Sequence, residues 1–169
     1  MVPENKDAEK ILEICSRLGW RIACAESLTG GLLADAFVSV SGASGAFAGS
    51  LVVYDSAEKE KILGVGGEIL KRRGAVEEEV ALEMARGAGR IFSLSCASPF
   101  LLLSTTGVAG PSSDGFKPVG TVCCAVIAPS FEPLLQTFRF SGGREEIRRR
   151  TVFAILKSAL GLLSDSLLE

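Results

Sequence analysis

Apolar positions along the chain repeat with two different periods, and the segments that carry them alternate. From Asp7 to Leu18, "DAEKILEICSRL" sets Ile11, Leu12, Cys15 and Leu18 on one helical face, with Gly19 as the stop. "WRIACAE" then reads as a short buried strand, and Thr29 to Val38 as a helix with Leu32, Leu33, Ala36 and Phe37 turned inward. "VSVSGASGAFAG" is rich in turn residues, "SLVVYD" is a second buried strand, and "SAEKEKILGV" continues as a short helix. "GAVEEEVALEMARGAGRIF" predicts a longer helix, acidic in its first turn and basic later, as the helix dipole favours.

The second half continues with strands. "FLLLSTTG" is apolar and runs into a loop of breakers, "VAGPSSDGFKP". "VGTVCCAVIA" and "LLQTFRF" are two more strands around "PSFEP", and a last helix runs from Arg144 to about Leu163. Strands separated by helices predict an α/β fold with a mostly parallel sheet. The last two strands are joined too tightly for a helical crossover, so one of them is expected to run antiparallel. No repeat or linker divides the chain, and one domain over residues 1–169 is the expectation, with a core over about 8–163.

Composition narrows the function classes. The 169 residues are 47% hydrophobic and 22% charged, with a formal net charge of −2, so no global basic field favours nucleic acid or an anionic membrane. The apolar runs "CCAVIA" and "FAILKSALGLL" are too short or too interrupted to cross a bilayer. "MVPENKDAEK" is charged and has no signal-peptide core, so a cytoplasmic location is expected. Cys15, Cys24, Cys96, Cys123 and Cys124 form no C-x-x-C pair and are odd in number; they read as structural thiols of a reducing compartment, and no metal or cofactor is expected.

Candidate chemistry gathers where three loops follow the first three strands: "ESLTGG", "YDSAEKEK" and "TTGVAGPSSDG". In an open α/β sheet the carboxyl ends of the strands are where ligands collect, so all three would meet on one rim. Ser27 is a helix cap, a phosphate ligand or a nucleophile. Gly30 and Gly31 allow a backbone turn or close packing, and their spacing makes neither a Walker loop nor a dinucleotide fingerprint. The chain has no histidine, which excludes a Ser-His-Asp triad. A serine nucleophile here needs lysine, or less favourably a carboxylate, as its base, and a lysine serves only where burial or a neighbouring cation lowers its affinity for the proton. Lys59 and Lys61 are the candidates, on a segment whose charge pattern otherwise describes a solvated helix face. Tyr54 ends a strand and either packs or hydrogen-bonds a ligand. "REEIRRR" reads as a mostly solvated face, except that Arg144 opens a helix against its dipole and suits a bound anion.

The blocks "AESLTGG", "YDSAEK…LGV", "GAVEEEVALEMARGA", "TTGVAGP", "KPVGTV" and "FSGGR" together resemble one family, in its order, from about Ala8 to Leu163. It is the C-terminal domain of CinA, the competence/damage-inducible protein, found also as the stand-alone nicotinamide mononucleotide deamidase. The resemblance implies a three-layer α/β/α sandwich with a mixed, mostly parallel sheet of about five strands. It implies no N-terminal molybdopterin-binding-like domain in this chain. It also implies hydrolysis of a small-molecule substrate, nicotinamide mononucleotide, to nicotinate mononucleotide and ammonia in pyridine nucleotide salvage.

By the same resemblance Ser27 is the nucleophile, Lys59 the base and Tyr54 its strand-end companion, and the helix cap passes to Thr29. Thr29, Gly30, Gly31, Thr106, Gly107, Ala109, Gly110 and Arg144 would line the substrate, with Arg144 and the "GVAG" loop near its phosphate. Leu28 stands where the family has cysteine, Ser56 where it has asparagine, Gly143 where it has an acidic residue, and "SSDGF" where it favours D-G-G after "AGP". A non-catalytic nucleotide- or partner-binding module, and an amidase for another small carboxamide, are the alternatives. An active site at the edge of a homodimer is compatible with the sequence.

Overall fold

The structure is a computed structural model and describes residues 6–165. The elements are α1 (Lys6–Leu18), β1 (Arg21–Glu26), α2 (Leu32–Val38), β2 (Phe47–Val52), α3 (Ser56–Leu63), α4 (Gly67–Arg73), α5 (Glu78–Phe92), β3 (Phe100–Gly107), β4 (Thr121–Ile127), β5 (Leu134–Arg139) and α6 (Arg144–Asp165), with one 3₁₀ turn at Ala43–Gly45. The five strands form one sheet in the order β2-β1-β3-β4-β5. β1 lies parallel to β2 and to β3, whereas β4 is antiparallel to both of its neighbours. β5 therefore points the same way as β1, β2 and β3, and one reversed strand makes the sheet mixed. The expectation of a three-layer, mostly parallel α/β/α sandwich is met.

The strand sequences explain the layering. On β1, Ile22 and Cys24 face a core shared with α1, α2 and α6, while Ala23 and Ala25 face the other side. On β3 and β4 the same alternation separates Leu101, Leu103, Val122, Cys124 and Val126 from Leu102, Cys123 and Ala125. The second face carries smaller side chains, and α5 meets it with Ala81, Ala85 and Ala88. Small residues on both surfaces let a helix lie close to the sheet. α5 also lies close to the end of α3 at Gly87, where a Cβ would overlap the Leu63 carbonyl oxygen.

Two expectations are corrected, and one element is added. β2 is an edge strand starting at Phe47, earlier than "SLVVYD" suggests, and it is half-buried to exposed rather than buried. Leu18 ends α1 at 43% exposure instead of joining the core face, whose buried members are Ala8, Ile11, Leu12, Ile14 and Cys15. α4, which buries no residue, was not legible in the pattern.

The connections decide where a ligand fits. From β1 the chain leaves through α2 toward the face with α1 and α6; from β2 it leaves through α3 and α4 to α5 on the opposite face. Adjacent parallel strands whose connections diverge open a crevice at their carboxyl ends. The reversed β4 begins at that rim and β5 ends there, which delivers the start of α6 to the same place. The rim is laced together by Gly120 N–H to Val108 O at 2.8 Å and Phe140 N–H to Gly120 O at 2.9 Å. Gly120 has φ +87, and a Cβ there would overlap the Phe140 carbonyl, so glycine is required at this crossing.

Candidate active site

Ser27 extends β1 by one residue: its N–H donates to Thr105 O at 2.9 Å, and the residue is 6% exposed. The chain then turns sharply, with Gly30 N–H returning to Ser27 O at 3.2 Å. Gly30 (φ +58) and Gly31 (φ +99) both lie in the left-handed region, so their role as turn-formers is the one the structure takes up.

α2 begins at Leu32, not at Thr29, and Thr29 does not cap it. The cap is a residue that sequence reasoning passed over, Glu26. Its Oε2 accepts from Thr29 Oγ1 (2.8 Å), Gly31 N–H (2.9 Å) and Leu33 N–H (3.1 Å), and its Oε1 from Ala34 N–H (2.9 Å) and Ser50 Oγ (2.8 Å). Glu26 is completely buried and accepts five bonds on two oxygens, which satisfies the free N–H groups of the helix start from inside the sheet. Because Thr29 spends its proton on Glu26, the Thr105 hydroxyl donates to Thr29 Oγ1 at 2.8 Å. Thr29 is thus locked and fully buried, and its side chain is not free for a substrate. A carboxylate ending an apolar strand immediately before a glycine turn was the available signal.

Lys59 lies on α3, which Asp55 caps by accepting from Ala57 N–H at 2.8 Å. The charge pattern placed Lys59 on a solvated face, but the residue is 1% exposed, while Lys61 is in water. Of the two candidate lysines only Lys59 is buried. Its Nζ donates to the Tyr54 carbonyl at 2.6 Å. Burial pulls its pKa from 10.5 down to about 8, against a smaller upward pull from Asp55.

The segments that carry Ser27 and Lys59 leave adjacent strands, β1 and β2. Glu26 pairs with Val52, and Val53 N–H donates to Glu26 O at 2.8 Å, so the chain leaving β1 at Ser27 runs beside Val53 and Tyr54. Among the described residues no hydrogen bond joins Ser27 Oγ to Lys59 Nζ.

Arg144, at the first position of α6, closes the rim. Its Nη1 donates to Gly110 O at 2.6 Å and its Nη2 to Tyr54 Oη at 3.1 Å, tying the loops after β2 and β3. Tyr54 itself is 62% exposed. Two other assignments are revised. The Thr106 hydroxyl is committed to Ala75 O at 2.7 Å, and Ala109 is buried in the core, so neither side chain is offered to a ligand. Gly107 packs against Val122 and Leu28.

Residues 4–165 match the family model of the CinA C-terminal domain. The chain belongs to that family. Among its relatives is a CinA-like protein of Syntrophobacter fumaroxidans, 43% identical over 148 residues, covering 87% of this chain and 34% of that protein; the chain spans about a third of such relatives. A nicotinamide-nucleotide amidohydrolase PncC of Enterobacter agglomerans is 38% identical, and the match covers 84% of each chain. Of solved structures, competence/damage inducible protein CihA from Agrobacterium tumefaciens superposes with a TM-score of 0.83 at 36% identity, covering 94% of both chains. A CinA superfamily protein from Enterobacter cloacae gives 0.87 at 27%, covering 96% of this chain and 94% of that one.

Cys15, Cys24, Cys123 and Cys124 are buried free thiols, all with pKa pushed upward by burial, as structural cysteines should be. Among the described residues no group of three or more His, Cys, Asp or Glu side chains could hold a metal, and no helix is long and apolar enough to cross a membrane.

Proposed function

We propose that this domain is an amidohydrolase that deamidates nicotinamide mononucleotide to nicotinate mononucleotide and ammonia, with Ser27 as nucleophile and Lys59 as its base. The observation that carries the reading is Lys59, a lysine shut away from water on the helix after β2, the strand next to the one that Ser27 extends, with a pKa lowered to about 8. A lysine kept so is neutral often enough near neutral pH to accept a proton. The PncC relative, named for this reaction, supports the choice of substrate.

In the mechanism, Lys59 takes the Ser27 hydroxyl proton as Oγ bonds to the carboxamide carbon. The carbonyl oxygen becomes an oxyanion. Lys59 then gives the proton to the nitrogen, the carbon–nitrogen bond breaks, and ammonia leaves. Water, deprotonated by Lys59, hydrolyses the Ser27 ester to the carboxylate and restores the hydroxyl. Backbone N–H groups after Ser27 stabilise the oxyanion, each worth roughly 3–4 kcal/mol where such donors have been removed. Tyr54 fixes Lys59 through its carbonyl and Arg144 through its hydroxyl. The Arg144 guanidinium, with the Gly107 and Gly110 backbone, is the place for the nucleotide phosphate, at the edge of the crevice.

The test is ammonia release from nicotinamide mononucleotide by purified protein. Turnover in the wild type that disappears in Ser27→Ala supports the reading. Binding of the nucleotide without turnover would make the domain a binding module, and release from a different carboxamide alone would move the substrate.

A further inference from the structure

The run "REEIRRR" divides on α6 into two kinds of arginine. Arg149 and Arg150 pair with Glu145 and Glu146 on the outer face, at 2.9 and 2.5 Å. Arg148 has no carboxylate partner among the described residues and turns the other way, half-buried, one turn beyond Arg144. Its Nε donates to Leu28 O and its Nη2 to Thr29 O, both at 2.8 Å. A charged fork thus holds two successive carbonyls directly after the nucleophile.

Peptide planarity turns this into a statement about donors. In a trans peptide the C=O and the following N–H point in opposite directions. With Leu28 O held on Arg148, the Thr29 N–H is aimed away from the arginine. With Thr29 O held too, the Gly30 N–H is aimed back, where it meets Ser27 O. The N–H groups of Leu28 and Thr29 donate to nothing among the described residues, although both residues are buried. Unspent backbone donors in a buried site beside a nucleophile are what an oxyanion needs. The Leu28 carbonyl has Arg148 as its partner and no other among the described residues, so that peptide's orientation depends on the arginine.

We propose that Arg148 is a positioning residue which fixes the Leu28–Thr29 peptide so that the Thr29 N–H is presented to the oxyanion. The inference rests on the amidohydrolase reading and extends it. The guanidinium also polarises the peptide it grips, which strengthens the N–H at its other end. Arginine is required because one planar fork reaches both carbonyls, whereas lysine carries a single nitrogen.

The experiment compares Arg148→Met and Arg148→Lys with the wild type in steady-state kinetics. Arg148→Met is expected to lower kcat on the order of 10- to 100-fold with KM within about twofold, less than the loss on deleting an oxyanion donor itself, and Arg148→Lys to fall between. Affinity for the pyridine-3-carbaldehyde mononucleotide, whose adduct with Ser27 carries an oxyanion, should drop by the same factor as kcat, with nicotinate mononucleotide affinity unchanged. Unchanged kcat in Arg148→Met overturns the proposal. So does a parallel loss of kcat, product affinity and melting temperature, which would mark a merely structural arginine. A wild type without deamidase activity refutes the amidohydrolase reading instead; the Thr29 amide resonance then decides, since it shifts in Arg148→Met while distant amides stay put only if the guanidinium sets that peptide. An unmoved resonance overturns the clamp.

Discussion

Lys59 donates its ammonium to the main-chain carbonyl of Tyr54, five residues earlier, at 2.6 Å, and the side chain that reaches there is sealed from water. A single carbonyl is a poor substitute for a hydration shell, which is why burial outweighs the nearby Asp55 and the pKa falls to about 8. A base should act in its neutral form. The rate of ammonia release should therefore rise with pH and level off above about 8, and a flat profile between pH 6 and 9 would remove Lys59 from that role.

The same burial has a signature in stability. Below pH 8 Lys59 is charged in both states. Between 8 and 10.5 the unfolded chain holds a proton that the folded chain has released, so folding stability rises with pH in that window. Lys59→Met should be the more stable protein at pH 7, by up to about 3 kcal/mol from the gap between 10.5 and about 8. Its advantage over the wild type should shrink toward pH 10.5. Urea unfolding at several pH values measures this, and activity should be absent throughout.

Ser27→Ala removes one hydroxyl that takes no part in holding the loop. Its kcat should fall by more than about 10⁴-fold, as for other nucleophile deletions, with stability unchanged to within about 1 kcal/mol. Mass spectrometry should trap an ester of nicotinate mononucleotide on Ser27 of the wild type and none on the variant.

Glu26→Gln keeps the shape of the side chain and exchanges one acceptor oxygen for a donor NH₂ group facing N–H and O–H donors. The expected cost is about 3 kcal/mol, read by denaturant unfolding. Activity should fall with it, because the turn carrying Ser27 hangs on this carboxylate.

Gly87→Ala tests the packing of the second layer. A methyl group there meets the Leu63 carbonyl at the end of the helix that carries Lys59. Helix propensity favours alanine, but the overlap forces α5 and α3 apart, and a net loss of about 1–3 kcal/mol is expected. A melting temperature above the wild type would contradict the contact.

Much of the fold is legible because α1, α5 and the central strands obey one period each, and the missing histidine restricts the bases available to Ser27. What escaped the sequence depends on partners far along the chain. α2 starts three residues late because Glu26, on the preceding strand, captures the N–H groups that a local cap would have taken. Lys59 looks solvated beside Glu58 and Glu60, yet it is buried in a helix that packs on α5, far along the chain. Arg148 is indistinguishable from its basic neighbours until α6 is laid across the loop after β1, 120 residues earlier.

The reversed strand β4 has a consequence for the order in which function arises. Because the sheet turns back there, the first turns of α6 are the last piece to reach the rim, and they grip loops made near the start. During synthesis, a chain stopped short of Arg148 carries Ser27 and Lys59 with the turn between them unclamped. The Arg148 contacts to Leu28 O and Thr29 O thus form only once α6 has docked across the loop after β1.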